Sequence, residues 1–263
     1  SSSYSGEGAF AYTLDGDQMV LTYTGDISVM VAVSASDSAL SLQARVTNGA
    51  GRPIRLFGLP NNLQIERTSI QNAMLPMMPG ALLNAGYFER AANFNDQYPG
   101  VMFADYLSLT SSGGRLALYS QRVEVVQPVY LGYTHENAQA THTTITHNYK
   151  TWIFDGETWT SPRLLLHVGA DYPETIDAYR VVNGIDQYPN LAAKLGDAAE
   201  TYFASPMYKL DLAALNLPFV ELEQAVVERL NIPGIVHFVV MQPGGHDNSY
   251  PDFIPPDPKW GTT

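Results

Sequence analysis

The sequence predicts a mainly β protein: a large antiparallel β-sandwich, then a helical linker, then the first strand of an α/β domain. Three observations carry this. Up to about residue 170, apolar and polar residues alternate with a period of two in one segment after another, as they do in strands with one face in a core and one in water. Turn sequences rich in Gly, Asn, Asp and Ser separate these segments, which is where a chain reverses direction. After Gly169 the period becomes helical, and the chain then reaches an apolar run, "IVHFVVM" (235–241), that does not alternate at all.

In order along the chain, "ISVMVAVSA" sets Ile27, Val29, Val31 and Val33 against smaller or more polar neighbours. "ALSLQARVTN" puts Leu40, Leu42, Ala44 and Val46 on one face, with Ser41, Gln43, Arg45 and Thr47 on the other. Turns are read at 14–17, 48–53, 111–114 and 155–158, and further strands over 18–24, 54–58, 63–67, 103–110, 115–120, 123–131, 141–151 and 163–168. So many strands of antiparallel type imply two packed sheets. The stretch 72–106 breaks the rhythm with prolines, glycines and little alternation. It reads as a long loop, either a lid over a functional surface or a peripheral loop packed by its own Met and Phe side chains.

Beyond residue 170, Asp171 is placed to cap a helix, with Pro173 in its first turn and Gly184 past its end. Leu191 to Leu195 make a further short turn. In "PFVELEQAVVERLN", Leu222, Val226 and Leu230 recur every four residues while Glu221, Glu228 and Arg229 point elsewhere, the pattern of an amphipathic helix. The run 235–241 then fits a strand covered on both faces, as in parallel sheets flanked by helices. No earlier strand of that kind is read, and only a loop follows, with Thr262 or Thr263 placed to cap a next helix. The expected organisation is a sandwich over 1–170, a helical linker over 171–232, and over 233–263 the opening strand and loop of a truncated domain, so that the chain reads as a fragment.

Composition bounds the partners. A formal charge of −12, from 26 acidic and 14 basic residues, with the basic residues scattered singly, argues against nucleic acid or an anionic membrane. No run approaches the ~20 apolar residues of a membrane span. Cys is absent, which excludes disulfides and thiolate chemistry and leaves the compartment open. The start, "SSSYSGEGAF", has no Met, basic region or apolar core, so no leader is read there. There is no Gly-rich phosphate loop and no G-x-S-x-G nucleophile motif, and no cofactor is expected. No metal is expected either. His142 and His147 in "THTTITH" lie five apart and face opposite sides of a strand. Asp15 and Asp17 alone are far from a calcium shell. His167 and His237, isolated in apolar strands, read as core histidines.

The order "RVTNGAGRPIRLFGLP", "MLPMMPGALL", "YPGVMFADYLSL", "GGRLALYSQ" and "GGHDNSYPDFIPPDPKWGTT" resembles the N-terminal region of glycoside hydrolases that join a galactose-mutarotase-like β-supersandwich to a catalytic (β/α)8 barrel. The nearest group is the endo-α-N-acetylgalactosaminidases with the α-galactosidase-like enzymes and their uncharacterised relatives. The resemblance runs over roughly residues 10 to 263. It implies that 235–241 is the first barrel strand, that the catalytic carboxylates sit on later strands beyond residue 263, and that the partners are carbohydrate and a C-terminal barrel or a companion chain supplying it.

In such barrels the site is built at the C-terminal ends of the strands, so the loop 242–260 becomes one rim of the sugar pocket. Its candidates are His246, Asp247, Tyr250, Asp252 and Trp260, with Asn248 beside them. Carboxylates and amides bind sugar hydroxyls directionally, and an aromatic ring stacks on the apolar face of a pyranose. Gly244 and Gly245 let the backbone turn off the strand. Alternatively Asp247 and Asn248 cap turns while Trp260 wedges the loop against the body. Phe94, Asn95, Asp96 and Tyr98 form a second candidate patch, either overhanging the pocket or plugging an interface. Two other functions stay open: a self-contained carbohydrate-binding module, with 235–241 paired into the sandwich, and an epimerase drawing acid and base from Glu66, Asp105, Glu124 or the histidines.

Overall fold

The computed structural model describes residues 9–15, 18–36, 39–77, 80–212, 218–231, 234–244 and 257–260. The chain divides into two compact units, Ser1–Gln187 and Tyr188–Thr263.

The first unit opens with β1 (Ala9–Asp15), β2 (Gln18–Thr24), β3 (Ile27–Ala35), β4 (Ala39–Asn48), β5 (Ile54–Gly58) and β6 (Leu63–Glu66). It continues through β7 (Ile70–Leu75), β8 (Ala81–Asn84), the short helix α1 (Ala85–Glu89), β9 (Phe94–Tyr98), β10 (Tyr106–Ser111) and β11 (Gly114–Ser120). It ends with β12 (Val129–Thr134), β13 (His142–Ile153), β14 (Thr158–Thr160), β15 (Leu164–Val168) and α2 (Tyr172–Val182). One sheet runs β1-β2-β3-β4-β15-β11-β10-β7-β8 with β14 beside β4, and the other runs β5-β13-β12-β9 with β6 beside β13. Every pairing between these strands is antiparallel, and the two sheets make the expected sandwich.

The alternation read in the sequence is what closes the core. Ala44 and Val46 of β4 are fully buried, and with Ala73, Leu75, Leu107, Leu109, Leu118 and Leu164 of the same sheet they line the interior. Facing them from the smaller sheet are Val129, Leu131, Tyr133, Ile145 and Tyr149. The larger sheet outreaches the smaller: Phe10, Tyr12 and Leu14 of β1 stand exposed. On its opposite face, Tyr106, Ala117 and Tyr119 are covered by Ile176 and Tyr179 of α2. That helix begins where the sequence places it, with the Asp171 carboxylate accepting from the Glu174 amide at 3.2 Å.

Two expectations are corrected here. The stretch 72–106, read as a loop, supplies β8, α1, β9 and part of β7. Its strands are short and broken by proline, so no period accumulates. Strand 123–131 starts only at Val129; Val123, Val125 and Val126 are exposed in a connecting segment.

The second unit contains α3 (Leu191–Leu195), α4 (Ala199–Ala204), β16 (Met207–Asp211), α5 (Phe219–Leu230) and β17 (Ile235–Val239). Strand β17 has the helix before it that the sequence predicts, and it also has a partner the sequence reading missed. It pairs in parallel with β16, Lys209 opposite His237, in a sheet of their own. Strand, helix and parallel strand thus form a βαβ unit, the connection parallel pairing requires. Leu212, Leu222 and Trp260 are its buried centre, with Leu210, Phe238 and Met241 packed around them. His237, read as a core histidine, is exposed.

Candidate functional site

Gly244, at φ +83°, adopts a backbone conformation open to glycine just beyond the end of β17. The chain returns at Asp257, whose amide donates to the Met241 carbonyl at 2.8 Å. The two ends of the excursion are therefore pinned together at the C-terminal end of a parallel strand. Asp257 organises the return: its carbonyl accepts from the Trp260 amide at 2.9 Å and its carboxylate from the Lys259 amide at 3.1 Å. Trp260 is 5% exposed, packed among the core residues of this unit with the Lys259 ammonium 4.5 Å from the ring centre. Its indole N–H has no hydrogen-bond partner among the described residues. His246, Asp247, Asn248, Tyr250 and Asp252 lie outside the described residues.

A second constellation sits in the sandwich. Strand β13 turns Thr143, Ile145, His147, Tyr149, Thr151 and Ile153 inward, so His147 is a core residue while His142 stays exposed. Asp105, just before β10, reaches it across the sheets: Nε2–H of His147 donates to the carboxylate at 2.8 Å. The other ring nitrogen, Nδ1, is buried without a partner among the described residues. Asp105 also borders a cleft of about 60 Å³ with Tyr98, Ser120, Arg122, Tyr179 and Asn183. Asn183 at the end of α2 ties it together, donating to the carbonyls of Ser120 and Tyr179 and accepting from the Arg122 amide.

Burial governs the titration of the surrounding rings. It pushes the Tyr98, Tyr149 and Tyr179 hydroxyls above their ordinary value, and the charge of Asp105 adds to the effect on all three. His135, whose Nδ1 meets the Ala92 carbonyl at 3.0 Å and whose Nε2 meets the Thr143 hydroxyl at 2.9 Å, is held below its usual value by burial. His167, stacked on Tyr119, is lowered for the same reason.

The cleft offers one carboxylate and no second acid. Its volume is well below the ~300–1,000 Å³ of ordinary ligand pockets, and the His147 imidazole is sealed behind Asp105. Proton transfer to both faces of a sugar carbon needs two groups in reach. Glu66 is exposed on β6, where it bonds Thr68, and Glu124 is exposed in the segment before β12. Of the second candidate patch, Phe94 packs against the sandwich core and Tyr98 lines the cleft. Tyr179 and Asn183 escaped sequence reasoning; Asn before Gly184 at a helix end was the available signal. Among the described residues no cluster of three or more His, Asp or Glu could hold a metal, and no helix is long and apolar enough to cross a membrane.

No protein-family model matches the sequence, and no curated protein matches it. Among solved structures, the fold is similar to the α-N-acetylgalactosaminidase NagBb from Bifidobacterium bifidum in its GalNAc complex, at a TM-score of 0.65 and 12% identity. The match covers 97% of this chain and 46% of that one, so the chain spans about half the length of NagBb. More distant are a galactose mutarotase related enzyme from Lactobacillus acidophilus (TM-score 0.36, 8% identity, 61% and 71% covered) and a glycoside hydrolase family 97 enzyme from Pseudoalteromonas sp. strain K8 with acarbose (0.37, 9%, 77% and 31%). What the chain shares with NagBb is the fold.

Proposed function

We propose that this chain is the sandwich-bearing portion of a glycoside hydrolase, and that the loop after β17 forms one rim of its sugar pocket. In this reading β16, α5 and β17 belong to a (β/α)8 barrel, His246, Asp247, Tyr250 and Asp252 face the sugar, and Trp260 anchors the loop from the core beneath it. The catalytic carboxylates lie on polypeptide beyond this chain. They cleave the glycosidic bond through an oxocarbenium-like transition state, one acting as acid and the other as nucleophile or base.

The observation that carries the reading is the parallel βαβ unit whose second strand launches the loop from its C-terminal end. Barrel enzymes build their sites at that end. The pairing of β17 with β16 also favours this over a self-contained module, which would take β17 into the sandwich. The likeness to NagBb over nearly the whole chain supports a carbohydrate substrate, with α-linked N-acetylgalactosamine as the first to try.

The test compares the 263-residue chain with a longer polypeptide from the same coding sequence, on aryl α-N-acetylgalactosaminides and α-galactosides. The longer protein should turn over one of them, and Asp247→Asn in it should raise KM more than it lowers kcat. The 263-residue chain should be inactive. Hydrolysis by the short chain, abolished by Asp247→Asn, would overturn the assignment of the catalytic acids.

A further inference from the structure

Strand β13 sends its odd-numbered residues into the core, and towards its C-terminal end Lys150 and Trp152 on the other face are exposed. Trp152 is 55% exposed, and Phe154, two residues on and just past the strand end, is 53% exposed. Leaving two large rings half in water forgoes about half of the ~1.5–3 kcal/mol that full burial of each would give. The rings are ordered with respect to one another, their centres 6.3 Å apart and their planes 28° from parallel. The Arg55 guanidinium, from neighbouring β5, lies 4.7 Å from the Trp152 ring centre and braces it.

The turn that follows completes the surface. Glu157 donates its amide to the Phe154 carbonyl at 3.1 Å, and Gly156 takes the φ of +80° that the third position of such a turn favours. Two exposed carboxylates are fixed here by one oxygen each. Asp155 accepts from the Gly51 amide at 2.9 Å, and Glu157 accepts from the Phe154 amide at 2.9 Å. Each carboxylate keeps a second oxygen able to accept a hydrogen bond.

We infer that Trp152 and Phe154, flanked by Arg55, Asp155 and Glu157, form a second saccharide-binding surface, remote in sequence from the β17 loop and binding a neutral sugar chain by stacking. A pyranose has an apolar C–H face for the rings and an edge of hydroxyls that donate to fixed carboxylates and accept from a guanidinium. Charge points the same way. With a net −12 on the chain, an acidic partner or a second copy meets repulsion at a site that already holds two carboxylates, whereas a neutral glycan meets none. The inference rests on the carbohydrate reading above and adds to it a surface for holding substrate rather than cutting it.

The test is affinity electrophoresis and array binding of the 263-residue chain on neutral oligosaccharides ending in N-acetylgalactosamine, galactose, glucose or mannose. Trp152→Ala, Phe154→Ala and the pair His246→Ala with Asp247→Ala are run beside it, with thermal unfolding of each as the check on folding. Tenfold or greater loss of retention in Trp152→Ala and Phe154→Ala, at unchanged unfolding temperature, is the expected result. Retention unchanged in both but lost in the loop pair would sink this surface and leave the carbohydrate reading standing. Retention of no sugar by the unaltered chain also sinks it, and the hydrolysis assay then judges the enzyme reading separately. Sedimentation showing a dimer that Trp152→Ala dissolves would assign the rings to a second copy instead.

Discussion

Asp105 and His147 show how much a single contact depends on the whole sandwich. They stand 42 residues apart and meet only because β13 turns its odd-numbered positions inward opposite the start of β10. The His147 side chain is enclosed completely, and Asp105 is its one hydrogen-bond partner among the described residues. Removing that acceptor leaves a buried N–H unsatisfied, at about 1–3 kcal/mol. Asp105→Ala should therefore lower the urea midpoint by that equivalent, while Asp105→Asn, which keeps an acceptor oxygen, should lose less than half as much. Equal losses in the two variants would mean that packing, and not the hydrogen bond, matters at this position. The sequence placed His147 on the face opposite His142, but the partner across the sheets could not be read, because it depends on a register between strands that no local pattern encodes.

At the scale of elements, β9 is held to β12 by close backbone approach. Gly132 of β12 sits opposite Asn95, and a Cβ there would come within 2.0 Å of the Phe94 carbonyl oxygen and 2.6 Å of the Asn95 Cα. Its φ of +157° adds backbone strain for any other residue. Because the obstruction is backbone, the strands must part to relieve it. Gly132→Ala should cost about 3 kcal/mol, and amide hydrogen exchange should show β9 opening before the rest of the sheet. Unchanged exchange in β9 would show that the two strands do not approach this closely. The legibility of the elements follows similar logic. Strands β3 and β4 were readable because nine or more residues alternate without a break, α2 because of its end signals and α5 because of its period of four. Strands β7, β8 and β9 were not, being four to six residues long and separated by proline and glycine. Strand β16, "MYKLD", hid because five residues with a half-buried face carry too little pattern to tell from a loop. The segment after β17 was read as a loop from its composition, with Trp260 either a ligand-facing ring or a wedge against the body. Its place in a core with Leu212 and Leu222 depends on the return at Asp257, which only the fold defines.

For the first unit as a whole, a set of tyrosines turned inward gives the sandwich a definite response to alkali. Tyr106, Tyr119, Tyr133 and Tyr149 are almost wholly buried. Each hydroxyl is tied to a neighbour: Tyr106 to Thr175 at 2.6 Å, Tyr119 to His167 at 2.9 Å, Tyr133 to the Ser108 carbonyl at 2.7 Å, and Tyr149 to Ser120 at 2.8 Å. Desolvation disfavours the phenolate, so burial pushes Tyr119 up to about 12 and raises the other three as well. In the unfolded chain these groups ionise near ~10. The folded state therefore keeps protons that the unfolded state gives up, and the stability this supplies is complete below ~10 and declines as pH rises through the folded values. In that window each lagging tyrosine withdraws about 1.4 kcal/mol per pH unit, so several acting together bring a steep alkaline limit. Urea midpoints should be flat from about pH 8 to about pH 9.5 and fall sharply above about pH 10.5. Tyrosinate absorbance should rise in two stages: exposed rings first, with the buried ones following only as the near-ultraviolet circular dichroism collapses. A single smooth titration near ~10 with the circular dichroism intact would mean that these rings reach water in the native protein.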